Sequence, residues 1–190
     1  MIEDELKRQY RISDQMLSMY SVLRDRHSRT ALSLTLGIFG SSVLLCACTF
    51  LPDDALGTLG ITPMGTKILL GAFSSHVLFL SIVELRVDWK EQSRGYADTA
   101  EALARWKAHY RNTVAISNPL TTDQMKELLA SYGGTMEHRP RIPDSQFHAL
   151  KARHLRKIEI SKMIDSYPGC PIIFLKLRLL WRGLFKKGKQ

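Results

Sequence analysis

The sequence predicts an all-α membrane protein: a two-helix transmembrane hairpin continued by cytoplasmic helices, with an interfacial amphipathic helix near its C-terminal end. Three observations carry this reading. Residues 31–51, ALSLTLGIFGSSVLLCACTFL, hold no ionisable acid or base beyond the weak thiols of Cys46 and Cys48. Residues 68–83, ILLGAFSSHVLFLSIV, are charged only if His76 is protonated. The rest of the chain is dense in charge, and its basic excess is confined to the last quarter. Residues 1–139 contain 15 Lys/Arg and 15 Asp/Glu, whereas residues 140–190 contain 12 Lys/Arg against Asp144, Glu159 and Asp165. The net charge of +9 therefore belongs to the tail. A basic tail calls for an anionic partner, lipid headgroups or nucleic acid.

Residues 3–29 come first. Ile2, Leu6, Met16, Tyr20 and Leu23 recur at helical spacing, which predicts an amphipathic helix running into the membrane. Residues 31–51 then form span one, because about 20 residues at 1.5 Å rise cross a hydrocarbon core of roughly 30 Å. The thirty residues before it are too long and too acidic for a signal-peptide n-region, so the span is expected to be retained. PDDALGTLGITP, residues 52–63, reads as a short polar turn. Span two covers about 65–84, with Lys67 snorkelling to the interface. Arg24, Arg26 and Arg29 precede span one, and Arg86, Lys90 and Arg94 follow span two, while the turn carries Asp53 and Asp54. Positive-inside then places both termini in the cytoplasm of a multi-pass inner (plasma) membrane protein.

Beyond span two, Trp89, Tyr96, Leu103 and Tyr110 stand seven apart, so the helix is expected to continue to about Asn112 and pair with the N-terminal helix. This bounds a first domain, 1–112. The second, 113–190, is a basic helical region. Thr121 and Gln124 form a capping box for a helix over 122–132, which Gly133 and Gly134 are expected to stop. RPRIP is a further break, and residues 144–167 form a basic helix. Residues 171–187 form the amphipathic helix: Ile173, Phe174, Leu177, Leu180, Trp181, Leu184 and Phe185 share one arc, and Lys176, Arg178, Arg182, Lys186 and Lys187 the opposite one. Too short and too charged to span, it suits the membrane interface, with Lys176, Arg178, Trp181, Arg182, Lys186 and Lys187 as contacts to anionic headgroups. Nucleic acid is the alternative partner for this tail, but it would leave the apolar arc uncovered.

Within span one, Ser33, Gly37, Gly40, Ser41, Ala47 and Cys48 fall in an arc of roughly 120°. Such a small-residue stripe lets helices approach closely in lipid. It serves either packing on span two or self-association. Span two has a small face of its own, Gly71, Ser74, Ser75 and Ser81, and His76 points away from it. One partner helix cannot easily cover both. Either His76 bonds a group of the neighbouring span, or it joins Ser74, Ser75 and Ser81 in a polar lining within an assembly. No carboxylate accompanies the serines and His76, so a hydrolytic triad lacks its orienting acid. Cys46, Cys48 and Cys170 make neither a disulfide framework nor a metal set, and are read as small packing residues, with lipidation of Cys46 or Cys48 as an alternative. No enzyme activity, cofactor or metal is expected.

MLSMYSVLRDRHSRTALSLTLG entering span one and ELRVDWKEQSRGYADTAEALARWKAHYRNTVAISNP leaving span two complete a layout that resembles the SLATT-type two-transmembrane proteins of bacterial conflict systems. The resemblance covers about three quarters of the chain and rests on layout and aromatic pattern. It implies an inner-membrane effector of antiviral defence that assembles as a homo-oligomer and permeabilises the membrane, triggered by a separate sensor protein or a nucleotide signal. A non-enzymatic tether that recruits a soluble partner through its cytoplasmic helices is the alternative expectation.

Overall fold

The computed structural model describes residues 2–50, 62–117, 119–137 and 139–186. Among these, all regular structure is helical: α1 (Ile2–Phe50), α2 (Pro63–Val87), α3 (Trp89–Ile116), α4 (Thr122–Glu137), α5 (Asp144–Ser166) and α6 (Ile172–Lys186). The expected turn at 52–63 lies almost wholly outside the described residues. The chain forms two compact units, Met1–Val22 with Thr99–Gln190, and Leu23–Asp98.

The first unit is built on aromatic packing. Leu6 of α1, Trp106 of α3 and Leu128 of α4 form a buried cluster, flanked by Tyr10, Tyr110, Leu120, Met125, Leu129 and Tyr132. The Trp106 indole N–H donates to the Leu128 carbonyl at 3.0 Å, so the buried ring keeps its polar atom satisfied. Tyr10 and Tyr110 lie 4.7 Å apart, and Trp106 and Tyr132 4.9 Å apart. Lys107 pairs with Asp14 and sits over the Tyr10 ring, 4.9 Å from its centroid. The Tyr20 hydroxyl donates to the Pro140 carbonyl at 3.1 Å, which ties the RPRIP break to α1. Burial raises the Tyr132 phenol above its ordinary pKa, and the Arg139 charge partly offsets this.

The capping box is present: the Thr121 N–H donates to Gln124 Oε1 at 3.0 Å, and the Gln124 N–H to Thr121 Oγ1 at 3.4 Å. The stop at Gly133 and Gly134 is not; α4 runs through both to Glu137. Each glycine costs roughly 1 kcal/mol against Ala in a helix. Tyr132 anchors the turn before them on Trp106, and Thr135 and Met136 are half-buried beyond them. α5 packs against α6, where Leu175 is buried while Ile173, Phe174, Leu177 and Trp181 are exposed. Arg178 stands over the Tyr167 ring at 5.3 Å.

The second unit contains the two apolar helical segments. Both are long and apolar enough to cross a membrane, and almost nothing in either apolar window is buried. A core helix of a water-soluble fold would hide its apolar side chains; here Phe39 is 69% and Leu85 88% exposed. Thr62 caps α2 by accepting from the Gly65 N–H at 3.1 Å, with Pro63 in the first turn. The helix expected to continue unbroken past span two is divided at Asp88, which adopts a left-handed conformation, φ 31° and ψ 58°. Asp tolerates this region better than most residues. Its carboxylate then accepts from the Glu91 N–H at 3.1 Å, so one residue ends α2 and starts α3.

Candidate functional site

Four contacts between α1 and the following helices fix their register inside the second unit. Gly37 faces Leu80, Thr35 bonds Glu84, Arg24 bonds Ser93 and His27 packs on Tyr96. Residues 24 and 27 of α1 meet 93 and 96, whereas residues 35 and 37 meet 84 and 80, so the helices run antiparallel. Their contact surface has a heptad spacing. Leu34, Ile38, Ser41, Leu45 and Cys48 on α1 are half-buried, as are Thr66, Leu70, Phe73, Val77, Leu80, Glu84 and Val87 on α2. Steps of four and three hold a seam against one partner.

This seam divides the small-residue stripe of α1. Gly37, Ser41 and Cys48 lie on the seam side, and a Cβ at Gly37 would come 3.9 Å from Leu80 Cδ1. Ser33, Gly40 and Ala47 are exposed on the adjoining flank, and a Cβ at Gly40 would meet nothing within 4 Å. On α2 the whole small face is exposed: Gly71, Ser74, Ser75 and Ser81. Gly71 likewise has open space where a Cβ would project.

His76 is exposed as well, roughly 80° from the seam on the side opposite Ser74. Among the described residues, Ser74, Ser75 and His76 make no hydrogen bond to α1. Ser81 donates to the Val77 carbonyl of its own helix at 2.8 Å, as Ser42 does to Ile38 and Thr49 to Leu45. Such back-bonding satisfies a hydroxyl without a neighbour.

Of the expected interface residues, Lys176, Arg178 and Trp181 are exposed on α6. The side chains of Arg182 and Lys186, and Lys187 altogether, lie outside the described residues.

Three features of the boundary region escaped the sequence reading. The Thr35 hydroxyl donates to Glu84 Oε1 at 3.0 Å, whereas the approach of Lys90 to the same oxygen at 3.4 Å is the pairing expected of Glu84 at the membrane edge with Arg86 or Lys90. The His27 ring packs against Tyr96 at a centroid distance of 5.3 Å, with a buried Nδ1 that has no hydrogen-bond partner. Burial first, and then the Arg26 charge, hold its pKa below the ordinary 6.5. Finally, Arg24, Asp25, Ser28, Arg29, Ser93, Arg94 and Ala97 line a surface groove of about 430 Å³. In sequence these arginines register only as flanking charges; the pairing of residue 24 with residue 93 makes them neighbours.

Among the described residues no three His, Cys, Asp or Glu side chains converge to hold a metal ion. No family model, curated protein or solved structure matches the chain. What the unit offers chemically is a set of helix faces in an apolar setting and a basic groove beside them.

Proposed function

We propose that the chain is an inner-membrane effector that self-associates and permeabilises the bilayer, its two apolar segments crossing as a hairpin with both termini in the cytoplasm. The exposure of Ser74, Ser75 and His76 in mid-α2, outside the seam with α1, carries the reading. An intramembrane His without a partner is unfavourable, and two polar faces on one helix ask for a second copy or for water. Gly40 and Gly71 leave room for backbone approach between copies. The exposed apolar and basic residues of α6 suit an anionic interface. The resemblance to SLATT-type proteins supplies the biological setting, antiviral defence with a separate sensor protein or nucleotide signal as trigger.

The test is membrane potential on expression in bacteria. Wild type is expected to depolarise cells, and His76→Leu to lose that effect while still reaching the membrane. Full depolarisation by His76→Leu removes the polar face from the mechanism.

A second reading, a membrane tether, is favoured by the aromatic core of the first unit, where Leu6, Trp106 and Leu128 organise a folded body suited to holding a soluble partner. Under it, expression leaves the potential intact, and a generic Leu-rich hairpin replaces residues 31–84 without loss of partner recruitment.

A further inference from the structure

The groove between Arg24 and Arg94 belongs to none of the helix faces just described. It is lined by three guanidiniums against one carboxylate. Arg24 is engaged by Asp25, its Nη2 2.8 Å from Oδ1, and its carbonyl accepts from Ser93 Oγ at 3.1 Å, which closes the groove across the two helices. Arg29 and Arg94 are exposed and have no carboxylate partner among the described residues. Guanidinium groups recognise phosphate through paired N–H donors, and Ser28 adds a hydroxyl. The volume suits a small ligand rather than a single ion.

The height of the groove on α1 selects the kind of phosphate. Arg29 stands two residues, and Arg24 seven, before the charge-free run begins at Ala31. At 1.5 Å per residue these are about 3 and 10 Å beyond the apolar edge. Arg29 therefore falls within the polar headgroup layer, roughly 5–8 Å thick on each side of a bilayer, and Arg24 just beyond its outer edge. Below Arg29 the same stripe of α1 continues as Leu32, Leu36 and Phe39, exposed by 60%, 60% and 69%. A charged head at the arginines with an apolar chain along that stripe is the outline of a phospholipid. We infer that the Arg24–Arg29–Arg94 groove binds the phosphate of an anionic phospholipid headgroup, with an acyl chain laid along Leu32, Leu36 and Phe39.

The inference rests on the membrane placement proposed above but not on permeabilisation. The full chain is purified in a mild detergent, and its thermal unfolding is followed while short-chain phosphatidylglycerol, short-chain phosphatidylcholine or inorganic phosphate is titrated in. Saturable stabilisation by phosphatidylglycerol alone is expected. At about fivefold per basic residue near an anionic surface, Arg29→Gln weakens it about fivefold and Arg29→Gln/Arg94→Gln about 25-fold. Lys126→Gln, exposed on α4 and remote in sequence from the groove, leaves it unchanged. Equal stabilisation by inorganic phosphate would assign the groove to a free anion and overturn the lipid. So would wild-type affinity in both arginine variants, or no preference of wild type for phosphatidylglycerol over phosphatidylcholine. Carbonate extraction of cell membranes separates this from the underlying reading: release of the chain sinks the membrane placement, whereas retention without a lipid preference sinks only the groove.

Discussion

The Thr35 hydroxyl and the Glu84 carboxylate meet at 3.0 Å across the two apolar helices, at the point where charge resumes on α2. Glu84 is half-buried there, and Lys90 shares its Oε1. An ionised carboxylate on a helix facing apolar surroundings needs donors, and Thr35 supplies one from the opposite helix. A hydrogen bond to a charged acceptor is worth roughly 1.5–3 kcal/mol at full burial, less at this half-exposed site. Thr35→Val, which keeps the shape and removes the donor, is expected to lower thermal stability in detergent by about 1 kcal/mol. Thr35→Ser is expected to retain wild-type stability. Equal melting of the Val and Ser variants would show the bond to be without weight.

His27 makes a pH-dependent contribution. Its pKa is depressed in the folded chain by burial and then by Arg26. The unfolded chain therefore binds the proton more tightly. The stabilisation is complete above the ordinary value of about 6.5 and is lost as pH falls through it toward the folded value. Unfolding temperatures measured from about pH 7.5 down to 5.5 are expected to decline more steeply for wild type than for His27→Phe, which keeps a ring against Tyr96. Parallel curves would remove His27 from the pH response.

The division of labour between these helices was only partly legible in sequence. The charge-free runs located the apolar parts of α1 and α2, and Thr121 with Gln124 marked the start of α4, because hydropathy and capping are local signals. The seam is a property of two helices together. It uses Ser41 and Thr66 beside Leu34, Phe73 and Leu80, so residue size does not distinguish it. A helical wheel groups Gly37 with Gly40, although only Gly37 meets α2. The groove arginines need the register set by Ser93 on Arg24 before they become one site. The continuation of α4 past Gly133 and Gly134 depends on Tyr132 packing on Trp106, a tertiary contact that outweighs local propensity.

Trp106 tests the first unit. It is 4% exposed and its indole N–H is bonded to the Leu128 carbonyl. Trp106→Phe removes that donor and part of the buried area, with an expected cost of about 1–3 kcal/mol. Leu6→Ala, at 1% exposure, opens a cavity in the same cluster and is expected to cost about 2–5 kcal/mol. Both are read from denaturant unfolding of the full chain in detergent. Losses under about half a kcal/mol would mean that this cluster is not a cooperative core.

Asp88 combines a left-handed backbone with a capping carboxylate. Replacement by Asn keeps both properties and is expected to be neutral. Gly relieves the strain but gives up the cap, for a net change of a few tenths of a kcal/mol. Val fits neither requirement, since a β-branched side chain crowds the left-handed region, and is expected to cost about 2–3 kcal/mol. Thermal melts that rank Val with Asn would contradict the conformation assigned to this residue.

Gly37 and Gly40 lie three residues apart yet separate folding from assembly. Gly37 faces Leu80 across the seam, so Gly37→Leu must push the helices apart and is expected to destabilise the single chain by about 1–3 kcal/mol. Gly40 opens onto empty space on the outer flank, so Gly40→Leu is expected to leave the melting temperature of the isolated chain unchanged. If copies meet through the exposed small faces, Gly40→Leu instead lowers chemical cross-linking between chains in the membrane, together with depolarisation. Loss of stability in Gly40→Leu would show that this flank is already occupied within one chain. Unaltered cross-linking would place the contact between copies elsewhere on the helices.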